Sequence, residues 1–546
     1  MDRIQASHES DVESDQSKQE TLRSVEQVQW KDLPNKDQLF IIALCRLSAP
    51  LSNVFLLPYV FYLVRSALSP SEDGTSDDDA GRIAQYSGLL VAAFPLAQFA
   101  LSLSWGRLSD RHGRRFSIIG GLCISILANI GFGLSRSIGA LLFWRVLAGF
   151  GNANVGLMRT ATAETVKERK YHTKAFLLMP LVFKPGMVVT FALSGYLAEP
   201  VKNLPWLFGP DGIWNTARNP EGVEWALQCP YALPAFMTAV ILGIPWILAV
   251  LGLKETLPGR ESYSDIGLRA GATLVRFIKH FSPSNKQHRY TVVGAEADTS
   301  SEEAEPCDEK LDQAATIKEK EDEIPFKKVW TRKVVCSLVS FGLLPLHNSA
   351  FMHIFPVYLS SPEADNTEAT LFAFTGGLGL GSASVGLWLS VFGICGILLQ
   401  LFIYPRLQAR LGTRGVFRIA LFVFPVTYAA APYLSLITDG SGIRWLILGF
   451  VACSQIMART IAIPSTVILL TQAAPSKKVL GTIHSGGHML ASLARALGPA
   501  LGGYVFAVGV QHGIVGLVWW SYLFIVAVCA LAWSYIMDTD DSQSMG

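Results

Sequence analysis

At 546 residues, half of them hydrophobic and only 16% charged, the chain is too apolar for a water-soluble protein of its size. Its 45 basic and 43 acidic residues nearly cancel to a net charge of +2, so no nucleic-acid partner is expected and only the placement of charge is informative. Eight scattered cysteines without a CxxC pair exclude a disulfide framework or a zinc ribbon, and read as small core residues.

Residues 1–37 are rich in Ser, Glu, Gln and Asp, which predicts a disordered polar tail and no cleavable leader. About twelve apolar runs of membrane-crossing length follow, since roughly 20 residues of helix span a hydrocarbon core of about 30 Å. Six lie at Gln38–Arg65, Ala84–Ser104, Phe116–Leu134, Ala140–Ala163, Lys174–Ala198 and Tyr231–Leu253. A charged stretch, residues 254–332, reads as a cytosolic linker with one short surface helix near Leu268–His280. Six more runs lie at Lys333–Leu359, Ser384–Tyr404, Val416–Leu436, Ile443–Leu470, Leu480–Val508 and Ile514–Met537, and residues 538–546 form a second tail. The predicted fold is an all-α membrane protein with twelve transmembrane helices in two six-helix pseudo-repeat halves, residues 38–253 and 333–537.

Orientation follows from Lys and Arg, which short cytoplasmic loops hold in excess. Arg107, Arg111, Arg114 and Arg115 follow span two; Lys167, Arg169 and Lys170 follow span four; Arg406, Arg410 and Arg414 follow span eight; and Lys477 and Lys478 follow span ten. The opposite loops are nearly bare, so both termini are expected in the cytosol. Between spans two and three a short basic loop runs Trp105-Gly106-Arg107-Leu108-Ser109-Asp110-Arg111-His112-Gly113-Arg114-Arg115, with Gly106 and Gly113 permitting a tight turn. Its Gly106–Arg115 aligns without gaps on Pro405–Arg414 after span eight, and Ala192-Leu193-Ser194-Gly195-Tyr196 likewise matches Ala500-Leu501-Gly502-Gly503-Tyr504.

Ionisable groups inside spans are costly, so each is a candidate site residue. Lys184, His347, Arg459 and Arg495 fall near the midplane, with Asn53 and Asn152 at similar depth. Arg46 and Asn53 are seven residues apart on span one, and Arg145, Asn152 and Arg159 are likewise spaced on span four, each set keeping to one helix face. No Asp or Glu lies well inside any span. Unpaired midplane cations call for an anion, so Lys184, Arg459 and Arg495 are expected to bind a carboxylated or otherwise anionic organic solute. His347, or His484 and His488, is then the candidate protonatable element. For Arg46 and Arg145 the competing role is to bond backbone carbonyls of a neighbouring helix. His484 and His488 are spaced to ligate zinc, but without an acidic or Cys partner no metal site and no cofactor is expected.

The loop 105–115 resembles the major facilitator superfamily pattern G-x-L-S/A-D-R/K-x-G-R-R/K at every defining position. Within it, the chain is similar to the fungal and plant zinc-induced facilitator-like branch, of drug:proton-antiporter type. Arg145–Gly149 with Asn152–Gly156, Leu346–Phe351, Leu469–Ser476 and Gly498–Gly503 carry that likeness. Two departures stand out: Ala49-Pro50 where the branch tends to have Glu before Pro, and Thr190-Phe191 where antiporters have Gly-Pro. The resemblance implies that Asp110 contacts the start of span eleven and, with Arg111 and Arg114, closes the cytoplasmic side, with Glu164 pairing to one of the arginines. It implies a secondary active transporter, working by alternating access and exporting a drug-like compound or secondary metabolite, with proton coupling left open. An importer of an organic nutrient and a non-transporting solute sensor are the alternatives. The expected setting is a monomer in the plasma membrane rather than the vacuolar membrane. No P-loop, HExxH or nucleophile elbow points to an enzyme.

Overall fold

The computed structural model describes residues 33–68, 77–166, 168–257, 266–281, 329–364, 370–437, 442–475 and 479–543. Among them the only β pairing is a single bridge between Phe374 and Ile514; the regular structure is helical. The first predicted span is three short helices, α1 (Lys36–Cys45), α2 (Ser48–Val54) and α3 (Val60–Leu68). Its breaks fall beside Arg46 and at Pro58, whose missing N–H cannot continue a helical ladder.

α4 (Asp77–His112) runs on through the basic stretch, so Trp105–His112 is helix and not loop. Only Gly113 breaks it, at φ 108°, before α5 (Arg114–Gly133) starts. Polar residues with fair helix propensity extend the element beyond its apolar part, and a left-handed glycine ends it. The aligned Gly412 does the same at φ 67°, inside the element that becomes α13. Span four is split into α6 (Ile138–Gly151) and α7 (Val155–Thr165) at Asn152-Ala153-Asn154. Asn side chains compete there for the backbone's hydrogen bonds. α8 (Arg169–Leu197), α9 (Ala232–Gly252) and the surface helix α10 (Ile266–Phe281) complete the N-terminal set. Between α8 and α9 three short helices fold over Leu204, Phe208, Val223 and Ala226, a small core that the apolar-run reading misses.

The C-terminal set is α11 (Arg332–Ser360), α12 (Ser382–Leu398), α13 (Tyr404–Ala430), α14 (Gly442–Ala473), α15 (Leu480–Gln511) and α16 (Phe524–Gln543). Single π-helical turns, Leu399–Ile403 and Val518–Leu523, precede α13 and α16. Among the described residues nine helical stretches are long and apolar enough to cross a membrane, and one of them, Ser382–Leu436, is 55 residues long. Outward-pointing Val240, Phe422 and Leu446 are more than half exposed, a belt that only lipid can cover at no cost.

The two sets meet along two seams, α4 against α15 and α8 against α12. Both close backbone to backbone. A Cβ on Gly88 would stand 2.5 Å from the Pro499 carbonyl oxygen and 3.3 Å from the Gly503 Cα, and one on Gly195 would stand 2.6 Å from the Ser382 carbonyl oxygen and 2.8 Å from the Gly386 Cα. Small residues are what allow such approach. The aligned residues Gly195 and Gly503 thus occupy equivalent places in the two seams. Both close approaches lie at the end of the bundle opposite Asp110, where α4 and α12 begin and α8 and α15 finish.

Candidate functional site

At the Asp110 end, Arg114 is the hub. Its guanidinium donates to Asp110 at 2.5 Å, to the Ser109 hydroxyl at 3.0 Å and to Glu164 at 3.3 Å. Glu164 in turn accepts from the Thr256 hydroxyl at 2.7 Å. The Glu255 carboxylate, just beyond α9, caps α5 by accepting from the backbone N–H groups of Arg114 at 2.8 Å and Arg115 at 3.3 Å. A carboxylate there satisfies otherwise orphaned amides at the positive end of the helix. Arg115 is buried and donates to the Val250 carbonyl at 2.7 Å, while Arg111 is exposed and Gly106 has open space around it. Among the described residues the bonds of Asp110 go to Arg114, one turn away on its own side, and its side chain is 67% exposed. Glu255 and Thr256 carry no sequence signal beyond following an apolar run.

Five cations gather in the interior. Arg46 lies over the Phe183 ring, 5.0 Å from its centroid, and its Nη1 is buried without a hydrogen-bond partner among the described residues. Arg159, on α7, meets His488 Nε2 on α15 and so joins the two sets. Arg459 places Nη1 3.0 Å from the Met352 sulfur, and Arg495 donates to the Ser492 hydroxyl at 2.8 Å. Arg46 is repelled by Arg159 and Arg495, and Lys184 by Arg459. Arg495 sits at the middle of α15 with its side chain exposed. Glu164 lies five residues beyond Arg159 on α7 but is engaged by Arg114 and the Thr256 hydroxyl, Glu199 lies at the opposite end, and no Asp or Glu lies well inside any span.

Other candidates are placed inside the packing. Arg145 is 1% exposed and donates to the backbone carbonyls of Leu90 at 3.2 Å, Ser52 at 2.6 Å and Asn53 at 3.3 Å, with the Phe94 ring beneath it. Of its two roles open from sequence, this geometry is that of the carbonyl clamp. Asn53 supplies part of that clamp through its backbone. Asn152 is fully buried and donates to the Ser125 hydroxyl at 2.9 Å. His347 is equally buried, 2.8 Å from the Tyr428 hydroxyl and edge-on to Phe424. The structure therefore brings together Arg46, Lys184, Arg459 and Arg495, adds Arg159, and sets Arg145, Asn152 and His347 apart. His484 bonds the Thr471 hydroxyl at 3.0 Å, and His488 faces Phe341 and Arg159, so each histidine is engaged by a different helix.

Membrane-length helices enclosing a polar interior between two glycine seams define a membrane transport protein. The profile of the Major Facilitator Superfamily matches residues 42–382, and the chain belongs to that superfamily. It is 32% identical over 518 residues to the major facilitator superfamily multidrug transporter mfsB of Aspergillus fumigatus, covering 90% of this chain and 82% of the relative. To ZINC INDUCED FACILITATOR 1 of Arabidopsis thaliana it is 23% identical, covering 84% of this chain and 81% of that protein. Among solved structures, the human organic anion transporter MFSD10 shares the fold with a TM-score of 0.51 at 17% identity, over 91% of this chain and 99% of the other. The protein is a transporter and not an enzyme.

Proposed function

We propose that the protein is a secondary active transporter that exports an organic anion by alternating access, with twelve spans in two six-helix halves and both termini in the cytosol. The observation that carries the substrate charge is the array of Arg46, Arg159, Lys184, Arg459 and Arg495 with no carboxylate well inside any span. Uncompensated charges in a low-dielectric interior are tolerated when a counter-charge arrives, which is what an anionic substrate supplies. The basic loops support placing the Asp110 end in the cytosol. The matched geometry of Gly113 with Gly412, and of Gly195 with Gly503, supports a repeat of halves. With the seams closed at the far end, the molecule is in a state shut to the outside. Export accords with the multidrug and efflux names of its relatives, and the proposed setting is a monomer in the plasma membrane.

With no carboxylate available, a coupling proton falls to histidine. His484 and His488 stand beside the cations and are partly accessible, whereas His347 is sealed behind Tyr428. The deciding experiment is transport of a panel of anionic and cationic compounds in reconstituted vesicles, with and without an imposed pH gradient. Preference for anions, lost in Lys184→Ala and Arg459→Ala, is expected; anion uptake untouched by both substitutions overturns the reading. Indifference to the gradient removes proton coupling and leaves facilitated diffusion.

A further inference from the structure

The interior cations form two groups. Arg46, Arg159 and Arg495 repel one another, from the C-cap of α1 and the middles of α7 and α15. Lys184 and Arg459 form the second group, from the middles of α8 and α14. The groups meet at one dipeptide: Phe183 carries the Arg46 guanidinium over its ring, and Lys184 follows it in the chain.

A single carboxylate brings one negative charge and two acceptor oxygens. Placed on the arginine group it leaves Lys184 and Arg459 facing each other unscreened; placed on the second group it leaves three guanidiniums, one with a buried, unbonded Nη1. Either choice strands positive charge in a medium that penalises it. Two acidic groups held apart answer both groups at once. Between them the walls supply an aromatic face at Phe183 and the Met352 sulfur beside Arg459, surfaces suited to a flat, apolar core.

We propose that the site takes organic dianions, with two acidic groups separated by an apolar ring, one bound by Arg46, Arg159 and Arg495 and the other by Lys184 and Arg459. This rests on the anion-export reading and narrows it. It separates the preferred substrate from simple monocarboxylates, and from dianions whose charge is confined to one head.

The test is equilibrium binding to the purified, lipid-reconstituted protein, using naphthalene-2,6-dicarboxylate, its monomethyl ester and 2-naphthyl phosphate on one ring system. The diacid is expected to bind at least about tenfold tighter than the monoester, the scale of one further charge-assisted contact. Lys184→Gln or Arg459→Gln is expected to collapse that ratio toward one. Equal affinity for diacid and monoester, an unchanged ratio in both variants, or naphthyl phosphate binding as tightly as the diacid overturns the dianion inference and leaves anion transport standing. Failure of all three anions to bind while cationic probes do bind overturns the anion reading itself. If a variant does not fold, the comparison of the three ligands on the unaltered protein still decides.

Discussion

Ser87 on α4 and His353 on α11 are joined by a hydrogen bond of 2.9 Å that crosses between the two sets of helices. The Ser87 hydroxyl also lies 2.8 Å from the Ala84 carbonyl, to which it donates, so the imidazole must donate its Nε2–H for both bonds to be made. His353 is buried, its Nδ1 has no hydrogen-bond partner among the described residues, and its Cε1 stands 3.3 Å from where a Cβ would sit on either Gly88 or Gly503. An imidazole therefore fills the space that two glycines vacate, and the seam closes around it.

That seam predicts the effect of adding bulk. In Gly88→Val the new Cβ meets the Pro499 carbonyl, a backbone atom that cannot swing aside. Overpacking of this kind costs about 1–3 kcal/mol, which shifts the closed-to-open ratio about 5–150-fold. Faster amide exchange over residues 80–95 and 499–511 is expected, with transport falling in proportion. Exchange as slow as in the unaltered protein would show that the seam is not a moving interface.

The network around Arg114 separates stability from gating. Its ion pair with Asp110 is largely solvated, and such pairs contribute at most about 1 kcal/mol. Asp110→Ala should leave thermal stability in detergent nearly unchanged and insertion intact, while the gating role that the resemblance implies for Asp110 predicts a fall in transport. Glu164→Ala removes a carboxylate that holds both Arg114 and the Thr256 hydroxyl, at side-chain exposures of 12% and 20% for Arg114 and Glu164. A cost of about 1–3 kcal/mol is expected there. Equal melting shifts for the two variants would mean that Arg114 does not distinguish its partners.

Arg145 and Arg459 should part company on mutation. Arg145→Gln leaves the carbonyls of Ser52, Asn53 and Leu90 short of donors inside the packing, so folded yield should drop. The molecules that fold should keep the ligand preference of the parent. Arg459→Gln gives up a contact with the Met352 sulfur and should fold well but lose anion affinity. Size-exclusion recovery and ligand binding, measured on both, check the contrast; the reverse pattern would make Arg145 the binding residue.

These contrasts mark what apolar length reveals and what it hides. Run length gives the depth of a residue, which is why Lys184, Arg459 and Arg495 emerge as interior cations from the sequence alone. It does not give the direction in which a side chain points around its helix. Arg145 and Arg159, two heptads apart in one apolar run, look alike in sequence. The break at Asn152-Ala153-Asn154 turns them to different surroundings, one into packing and one toward α15. Gly113 was legible as a turn because φ near 108° favours glycine, yet the preceding residues proved helical, since nothing polar in them forbids helix. Glu255 was illegible: a carboxylate that caps a helix about 140 residues earlier in the chain leaves no local pattern.

The meeting of Arg159 with His488 gives a last test, at the Asp110 side of the proposed site. For the guanidinium to donate there, His488 Nε2 must offer a lone pair, which requires the neutral ring. His488→Gln retains an acceptor in its amide oxygen and should preserve much of the transport. His488→Arg places a second guanidinium against the first, amid the repulsion already present from Arg495 and Arg46, and should drive α7 and α15 apart. Transport should fall at least about tenfold, the consequence of 1.4 kcal/mol or more against the joined state. Increased alkylation of single cysteines introduced at Gly156 or Thr482, relative to the same cysteines in the parent, would report the separation. Equal transport by His488→Gln and His488→Arg would mean that the contact bears no load in the cycle.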